Sequence, residues 1–255
     1  MLSHQNFVAQ LIIGAMARRE MAAQQTLAGI KLPPYRSLAH LPAAHIAGVG
    51  GYLISPSFSG GTVFWMKKYK WDDFLRYNKT LKITAVYTVP SIILRITKDP
   101  KVTDHFKTMY YAAGGAAPFD GKLQKAANKK LGGPEVTVGQ VYGLSETSGA
   151  LTAPPPGVER DDTGSIGEVM PNSELRIVDE KDKDVTPGTA GELICRGPCI
   201  IKGYFRNPTA TKNAFRNGWF CTGDIAVEKN GKLYVVDRIK VCLTKSFSSM
   251  MLMNQ

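Results

Sequence analysis

The sequence predicts an α/β fold: a mostly parallel sheet with flanking helices, followed by a small antiparallel β region or barrel. Three observations carry that expectation. From Gly60 to Tyr142, short β-type runs alternate with stretches of helical period. After Pro154-Pro-Pro156 the helical stretches give way to short strands separated by Gly, Pro, Asn and Asp. A content of 44% hydrophobic and 21% charged residues over 255 residues gives a globular chain with ample material for a core. The chain thus divides into a partial α/β unit over 1–156, a small β unit over 157–240 and a tail over 241–255.

The elements follow in order. Ser3 caps a helix over residues 4–27, with Phe7, Leu11, Ala15 and Met16 on one face, and Pro33-Pro34 stops it. A short strand near Ser37 runs into Pro42 and then His45. Gly48, Gly50 and Gly51 allow close packing there, and a second helix continues towards Pro56. Thr62–Met66 reads as a strand, Trp71–Leu81 as a helix and Ile83–Val89 as a buried strand. Pro90 opens a helix over Ser91–Thr97, and Thr108–Ala112 is the next strand. Asp120–Leu131 is a helix ended by Gly132-Gly133, and Glu135–Tyr142 is a strand that breaks at Gly143. In the second unit Gly164–Glu168, Ser173–Val178, Gly191–Arg196 and Ile200–Tyr204 read as short strands, with a helix over Thr209–Phe215. Gly218–Asp224 leads into a hairpin that turns at Lys229-Asn-Gly231 and returns through Lys232–Val236.

Composition narrows the function classes. The formal charge of +11 asks about nucleic acid, but the lysines are scattered and no arginine-rich run or zinc-finger spacing occurs. A solvated basic surface, attractive to small anions, is the expectation, and nucleic acid is not the expected partner. Cys195, Cys199, Cys221 and Cys242 lack the histidines and spacing of a zinc site and read as reduced thiols. No run of eighteen apolar residues occurs, so no membrane span is expected. Arg18, Arg19 and Glu20 stand where a signal peptide would need small residues.

The stretch Thr137–Gly149 carries the first chemical signal. It ends an alternating run and then offers Glu146 among the hydroxyls of Ser145, Thr147 and Ser148. A carboxylate can hold a hard cation and hydroxyls can donate to phosphate oxygens, which suits a magnesium–phosphate site. Read alone, a hydroxyl-rich strand end is a turn. In parallel sheets, ligands bind at the carboxyl ends of strands. Ala113–Pro118 and Gly143–Gly149 are two such ends, and if their strands are neighbours they face one crevice.

Five ordered stretches extend this reading. Leu41-Pro-Ala-Ala-His45, Gly114-Gly-Ala-Ala-Pro118, Tyr142-Gly-Leu-Ser-Glu146, Thr222-Gly-Asp224 and Asp237-Arg-Ile-Lys240 together resemble the adenylate-forming superfamily. That superfamily contains acyl-CoA synthetases, 4-coumarate–CoA ligases, luciferases and peptide-synthetase adenylation domains. Gly191-Glu-Leu-Ile-Cys-Arg-Gly-Pro198, Gly203-Tyr204 and Gly218-Trp-Phe220 fit the same order, so the resemblance runs from Met1 to Lys240. It implies that a carboxylic acid is joined to ATP, giving an acyl-adenylate and pyrophosphate, and that coenzyme A then displaces AMP. Glu146 resembles the Mg2+-binding carboxylate and Ser145 a phosphate or adenylate donor. Gly115, Ala116, Ala117 and Pro118 resemble the loop beside the adenine. Tyr142, followed by Gly143, resembles the aromatic residue near that base. Asp224 resembles the carboxylate that accepts from the ribose hydroxyls, and Arg238 the cation on ribose and phosphate. His45 resembles the residue lining the acyl pocket, and Lys240 stands at the hinge position.

The family pattern also has parts that these residues do not match. Its glycine-rich phosphate loop, ending in Pro-Lys-Gly, normally precedes a segment like Leu2-Ser-His-Gln-Asn6, and no stretch here replaces it. Val241–Met250 does not resemble the family's passage into a C-terminal lid that bears a catalytic lysine. The expectation is a fragment of an acid–CoA ligase truncated at both ends, impaired in turnover. The other reading is a non-catalytic remnant that binds AMP, an adenylate or a protein. Exposed sheet surface is expected to favour self-association. The resemblance places such enzymes in the cytoplasm or peroxisome; the sequence carries no targeting signal, and its last residues are not a peroxisomal address.

Overall fold

A computed structural model describes residues 1–131, 136, 138–154 and 161–238, apart from the Met21 side chain. The expectations placed on Gly132-Gly133, Thr137, Pro155-Pro156, Lys240 and the 241–255 tail lie outside these residues. The first helix, α1 (His4–Leu27), begins as expected. Ser3 Oγ accepts from Asn6 N at 3.2 Å, and Asn6 Oδ1 accepts from Ser3 N at 3.0 Å. This reciprocal cap satisfies two amides that the first helical turn leaves without partners. The face expected to be buried is corrected: Met16 is 53% exposed, whereas Asn6, Ile13 and Ala15 are buried. Asn6 and Ile13 face one partner surface and Phe7 and Leu11 a cavity, so the helix packs on two sides.

The α/β unit then alternates. It comprises β1 (Arg36–Ala39), α2 (Ile46–Gly48), a π-helical turn over Val49–Ile54 and α3 (Ser55–Ser59). Next come β2 (Thr62–Trp65), α4 (Trp71–Thr80), β3 (Ala85–Thr88), α5 (Pro90–Lys98), β4 (Tyr111–Gly114), α6 (Gly121–Asn128) and β5 (Val138–Gln140). Their five strands form one parallel sheet in the order β2-β1-β3-β4-β5. Leu38, Val86, Ala112 and Val138 point to one face and join Phe74, Ile93, Ile96, Phe106 and Ala127 in the main core. The opposite pleat presents Tyr87 and Tyr111 to a cavity. The strand expected over Thr108–Ala112 begins later. Phe106 and Met109 are core residues of the preceding turn, so their apolar character marks burial, not extension.

Beyond β5 the chain changes sheets. β6 (Tyr142–Leu144), β7 (Gly149–Ala153) and β8 (Glu168–Val169) form a three-stranded antiparallel sheet. The β7–β8 pairing joins residues on either side of position 156. A five-stranded antiparallel sheet follows, built from β9 (Glu174–Val178), β10 (Gly191–Arg196), β11 (Phe215–Arg216), β12 (Trp219–Lys229) and β13 (Lys232–Arg238). Its order is β11-β12-β10-β9, with β13 on β12, and α7 (Pro208–Ala214) precedes β11. The hairpin at Asn230-Gly231 is as expected, with both residues at positive φ.

Three expectations fail here, the first being the strand over Gly164–Glu168, of which only Glu168 is extended, in β8. Gly143 does not break a strand: it lies inside β6, and Tyr142 belongs to β6 rather than to the parallel sheet. A Cβ at Gly143 would meet the Gly149 carbonyl oxygen at 1.9 Å, so the glycine serves close strand approach. Ile200–Tyr204 is not a strand. Ile200 and Ile201 are buried under Leu151 and Phe220 through a loop tied to Glu146 by Ile201 N→O at 2.9 Å.

Candidate functional site: a strand-end cluster beside a cavity

Three of the expected residues meet at one place. Tyr142, at the start of β6, donates from Oη to Asp224 Oδ2 at 2.7 Å. Arg238 reaches the other carboxylate oxygen, Nε to Oδ1, at 3.4 Å. The second contact follows from register, because Asp224 and Arg238 are direct partners across β12 and β13. Asp224 is only 6% exposed, and its backbone is pinned. Thr222 Oγ1 accepts from Asp224 N at 3.1 Å and donates to the Leu193 carbonyl at 2.6 Å. Gly223 takes φ 72°, and its amide donates to Glu192 Oε1 at 3.3 Å. A buried carboxylate costs several kcal/mol unless it is paired, on the order of the penalties for buried ions. Burial and the Asp224 charge together push the Tyr142 phenol far above its ordinary value, so it stays protonated and keeps donating.

The turn at Ser145–Thr147 presents less than its composition indicated. Thr147 is fully buried, and its hydroxyl is consumed by the backbone: it accepts from Leu144 N at 2.8 Å and donates to Gly149 O at 2.6 Å. Ser148 takes a left-handed φ of 59° and donates to Cys199 O at 2.6 Å. Two of the three hydroxyls therefore build the turn. Ser145 is exposed and Glu146 half-buried, and these are the two side chains the turn offers outward. Tyr204 Oη donates to Glu146 Oε1 at 3.0 Å. Burial, reinforced by that carboxylate, pushes the Tyr204 phenol up to about 12.

The Gly114–Pro118 loop leaves β4 beside β5, while the other expected strand end, Gly143–Gly149, belongs to β6, the turn after it and the start of β7. A Cβ on Gly114 would strike Ile93 and Phe119, and one on Gly115 would lie 2.5 Å from the Tyr87 hydroxyl. Ala116 has φ 70°, a conformation costly for a residue with a Cβ. Ala116, Ala117 and Pro118 are exposed.

Behind this loop lies a cavity of about 270 Å³ between α1, the Ile46–Ser59 segment and the second face of the parallel sheet. Ala116, Gly143 and His45 all border it. His45 is exposed and caps α2, its Nδ1 accepting from Ala47 N at 3.2 Å. The structure thus gathers Tyr142, Asp224 and Arg238 in one cluster, Ser145 and Glu146 on one turn, and His45, Ala116 and Gly143 around one cavity.

Sequence reasoning passed over several supports. Gln140 accepts from Phe119 N at 2.8 Å and donates to Gly164 O at 2.7 Å, tying the β4 loop to the region after position 161. Glu192 holds the Gly223 amide and pairs with Arg216 at 2.6 Å. His40 is buried between Leu38 O and Thr88 Oγ1 at 2.8 and 2.9 Å. None belongs to a recognisable spacing; their signal is a polar type inside an apolar run. Among the described residues no group of three or more His, Cys, Asp or Glu could cage a metal. No helix among them is long and apolar enough to cross a membrane. Cys195, Cys199 and Cys221 are free thiols, and burial pushes Cys195 up to about 12.

A family profile described as "AMP-binding enzyme" matches residues 1–205. A putative acyl-coenzyme A synthetase of Emericella nidulans is 43% identical over 241 residues, which cover 94% of this chain and 42% of that protein. The acyl-CoA synthetase ACTT5 of Alternaria alternata is 35% identical, with coverage of 86% and 38%. ATP-bound MatB from Rhodopseudomonas palustris superposes with a TM-score of 0.79 at 26% identity, over 93% of this chain and 44% of MatB. The chain therefore spans about two fifths of the relatives it matches. With the profile covering most of its length and the fold shared with these enzymes, the chain belongs to the AMP-binding enzyme family of adenylate-forming proteins.

Proposed function

We propose that this chain supplies the adenosine-side and acyl-side surfaces of an AMP-forming acid–CoA ligase, with a carboxylic acid, ATP and coenzyme A as substrates. The observation that carries the reading is the Tyr142–Asp224–Arg238 cluster, a buried carboxylate in the middle of β12 that binds the first residue of β6 and faces the last residue of β13. A ribose offers two hydroxyl donors, and Asp224 offers two acceptor oxygens on a backbone that Thr222 fixes. Arg238, largely exposed, adds a fork of donors for an anionic phosphate. Ala116, Ala117 and Pro118 leave room for a flat base against backbone. Magnesium fits as well: it takes one or two carboxylates and completes its shell with water and substrate phosphates, so Glu146 needs no protein partner carboxylate. When bound, the ion would neutralise phosphate charge, with Ser145 beside it as a donor. His45 borders the cavity where the acid's carboxylate would meet that phosphate.

Calorimetry with AMP tests the reading. Asp224→Ala is expected to weaken binding at least ten-fold, while Asp104→Ala, on the far side of the main core, leaves it unchanged. Equal affinity in wild type and Asp224→Ala would refute it.

A second reading is adenylate binding without turnover. It is favoured by the cavity's lining, in which Arg18 is the one formally charged side chain among the described residues and no lysine appears. It predicts ATP binding no tighter than AMP and little acid-dependent pyrophosphate release. Robust turnover with ATP, magnesium and a panel of acids would overturn it.

A further inference from the structure

The cavity is not uniformly apolar, and its two ends differ. Its near end, by β7, is marked by Gln10 lying against Gly149. Its far end is marked by Arg18, whose Nη2 donates to Ser59 Oγ at 3.0 Å and whose Nη1 folds back over Gly14 in the cavity wall. Eight residues of helix separate Gln10 from Arg18, about 12 Å at the α-helical rise. The sheet gives the same length. Tyr111 opens β4 and Gly114 closes it, roughly 10 Å apart. The far end is thus the amino-terminal end of the strands, where Tyr35, Tyr110 and Tyr111 also stand.

The polar groups at that end are under-used. Arg18 has no carboxylate partner among the described residues; its sole hydrogen bond is to Ser59. The Tyr110 and Tyr111 hydroxyls bond to no described residue. Burial raises all three phenols and Arg18 opposes the rise, which places its charge close to them. A cation and protonated phenols facing one space form a donor set that lacks an acceptor. An anion entering there would accept from several of these donors at once, in charge-assisted hydrogen bonds.

Building on the acid-activating reading, we propose that the cavity takes an elongated acid whose far end carries a second anionic group, seated on Arg18 and the Tyr35, Tyr110 and Tyr111 phenols. At about 1.2 Å per bond of extended chain, the 10–12 Å between the two ends corresponds to roughly eight to ten bonds. A straight-chain dicarboxylate of about ten carbons matches that span. A chain of equal length ending in a methyl group would leave the donors dry and unpaired.

The test compares decanedioate with decanoate by calorimetry on the full chain, with AMP titrated separately. Decanedioate is expected to bind at least ten-fold tighter, and Arg18→Gln to abolish the difference while leaving AMP affinity unchanged. Tyr111→Phe keeps the ring in place and is expected to reduce the preference several-fold. Equal or tighter binding of decanoate, binding of neither acid, or a preference that survives Arg18→Gln would overturn the proposal. Loss of AMP binding alone would sink the nucleotide reading and leave the acid preference standing.

Discussion

His40 couples one residue to the stability of the fold. Leu38 O can only accept, so the ring proton sits on Nδ1, and Nε2 accepts from Thr88 Oγ1. Burial pulls the imidazole down to about 4, only partly offset by the Leu38 hydrogen bond. The folded state therefore favours the neutral ring, and the unfolded chain binds more protons between about pH 6.5 and pH 4. Stability is fully present above pH 6.5 and falls as pH drops through that window, by about 3 kcal/mol for this shift. Urea midpoints at pH 7.5, 6 and 4.5 should show the decline, and His40→Gln should flatten it. At the cluster proposed to hold the nucleotide, Tyr142→Phe removes the hydroxyl that now occupies Asp224. AMP is then expected to bind a few-fold tighter, because the ligand no longer displaces a protein donor; weaker binding would mean that the hydroxyl itself contacts the nucleotide. Tyr142, Glu146 and Asp224 were legible because their neighbours in sequence form ordered motifs. His40, Gln140 and Glu192 were not, because their roles rest on partners from 21 to 48 residues away.

Among elements, β1, β2, β3 and the helices α4, α5 and α6 lie within a few residues of their expected bounds, whereas β4 starts three residues later than expected and β5 ends two residues earlier. The inner strands β1, β3, β4 and β5 are mostly buried and α4, α5 and α6 each bury apolar residues, so local pattern and tertiary environment agree there, whereas the edge strand β2 stays largely exposed. The passage from β5 to β6 was misread for a physical reason. Val138–Leu144 keeps its alternation while changing sheets, and alternation reports extension but not which partner supplies the hydrogen bonds. The fixed point of that passage is Gly143. Gly143→Ala is expected to cost several kcal/mol, about the range for overpacking a closed contact, since the obstruction is the Gly149 backbone. Gly50→Ala, with open space around it, should cost about 1 kcal/mol or less and serves as the control in thermal unfolding.

At the scale of the molecule, the sheet exposes an edge. β2 is the outermost strand of the parallel sheet, and Trp65 on it is 50% exposed. Leu53 and Phe58 of the preceding helical segment are exposed as well. An unpaired edge with apolar neighbours favours strand addition, so self-association that grows with concentration is expected in light scattering. Trp65→Lys should reduce it, and association unaffected by that change would place the contact elsewhere. The basic surface of +11 adds long-range attraction for a nucleotide's phosphates, and AMP association should slow as salt rises.

The anchoring of α1 reaches beyond the folded state. Asn6 Nδ2 donates to Pro198 O and Ile200 O, at 2.8 and 2.9 Å, across 192 and 194 residues. Asn6→Leu should therefore cost about 2–4 kcal/mol, since it strands one buried and one part-buried carbonyl and weakens the helix cap. The same contact sets a timetable during synthesis. The helix leaves the ribosome long before the loop that will hold it, and at about 5–20 residues per second the wait is roughly 10–40 s. Until then Ile13 and its neighbours have no Met170 or Cys199 to cover them. α1 is thus made well before the loop that secures it, and in a cell that interval is when a chaperone would find it.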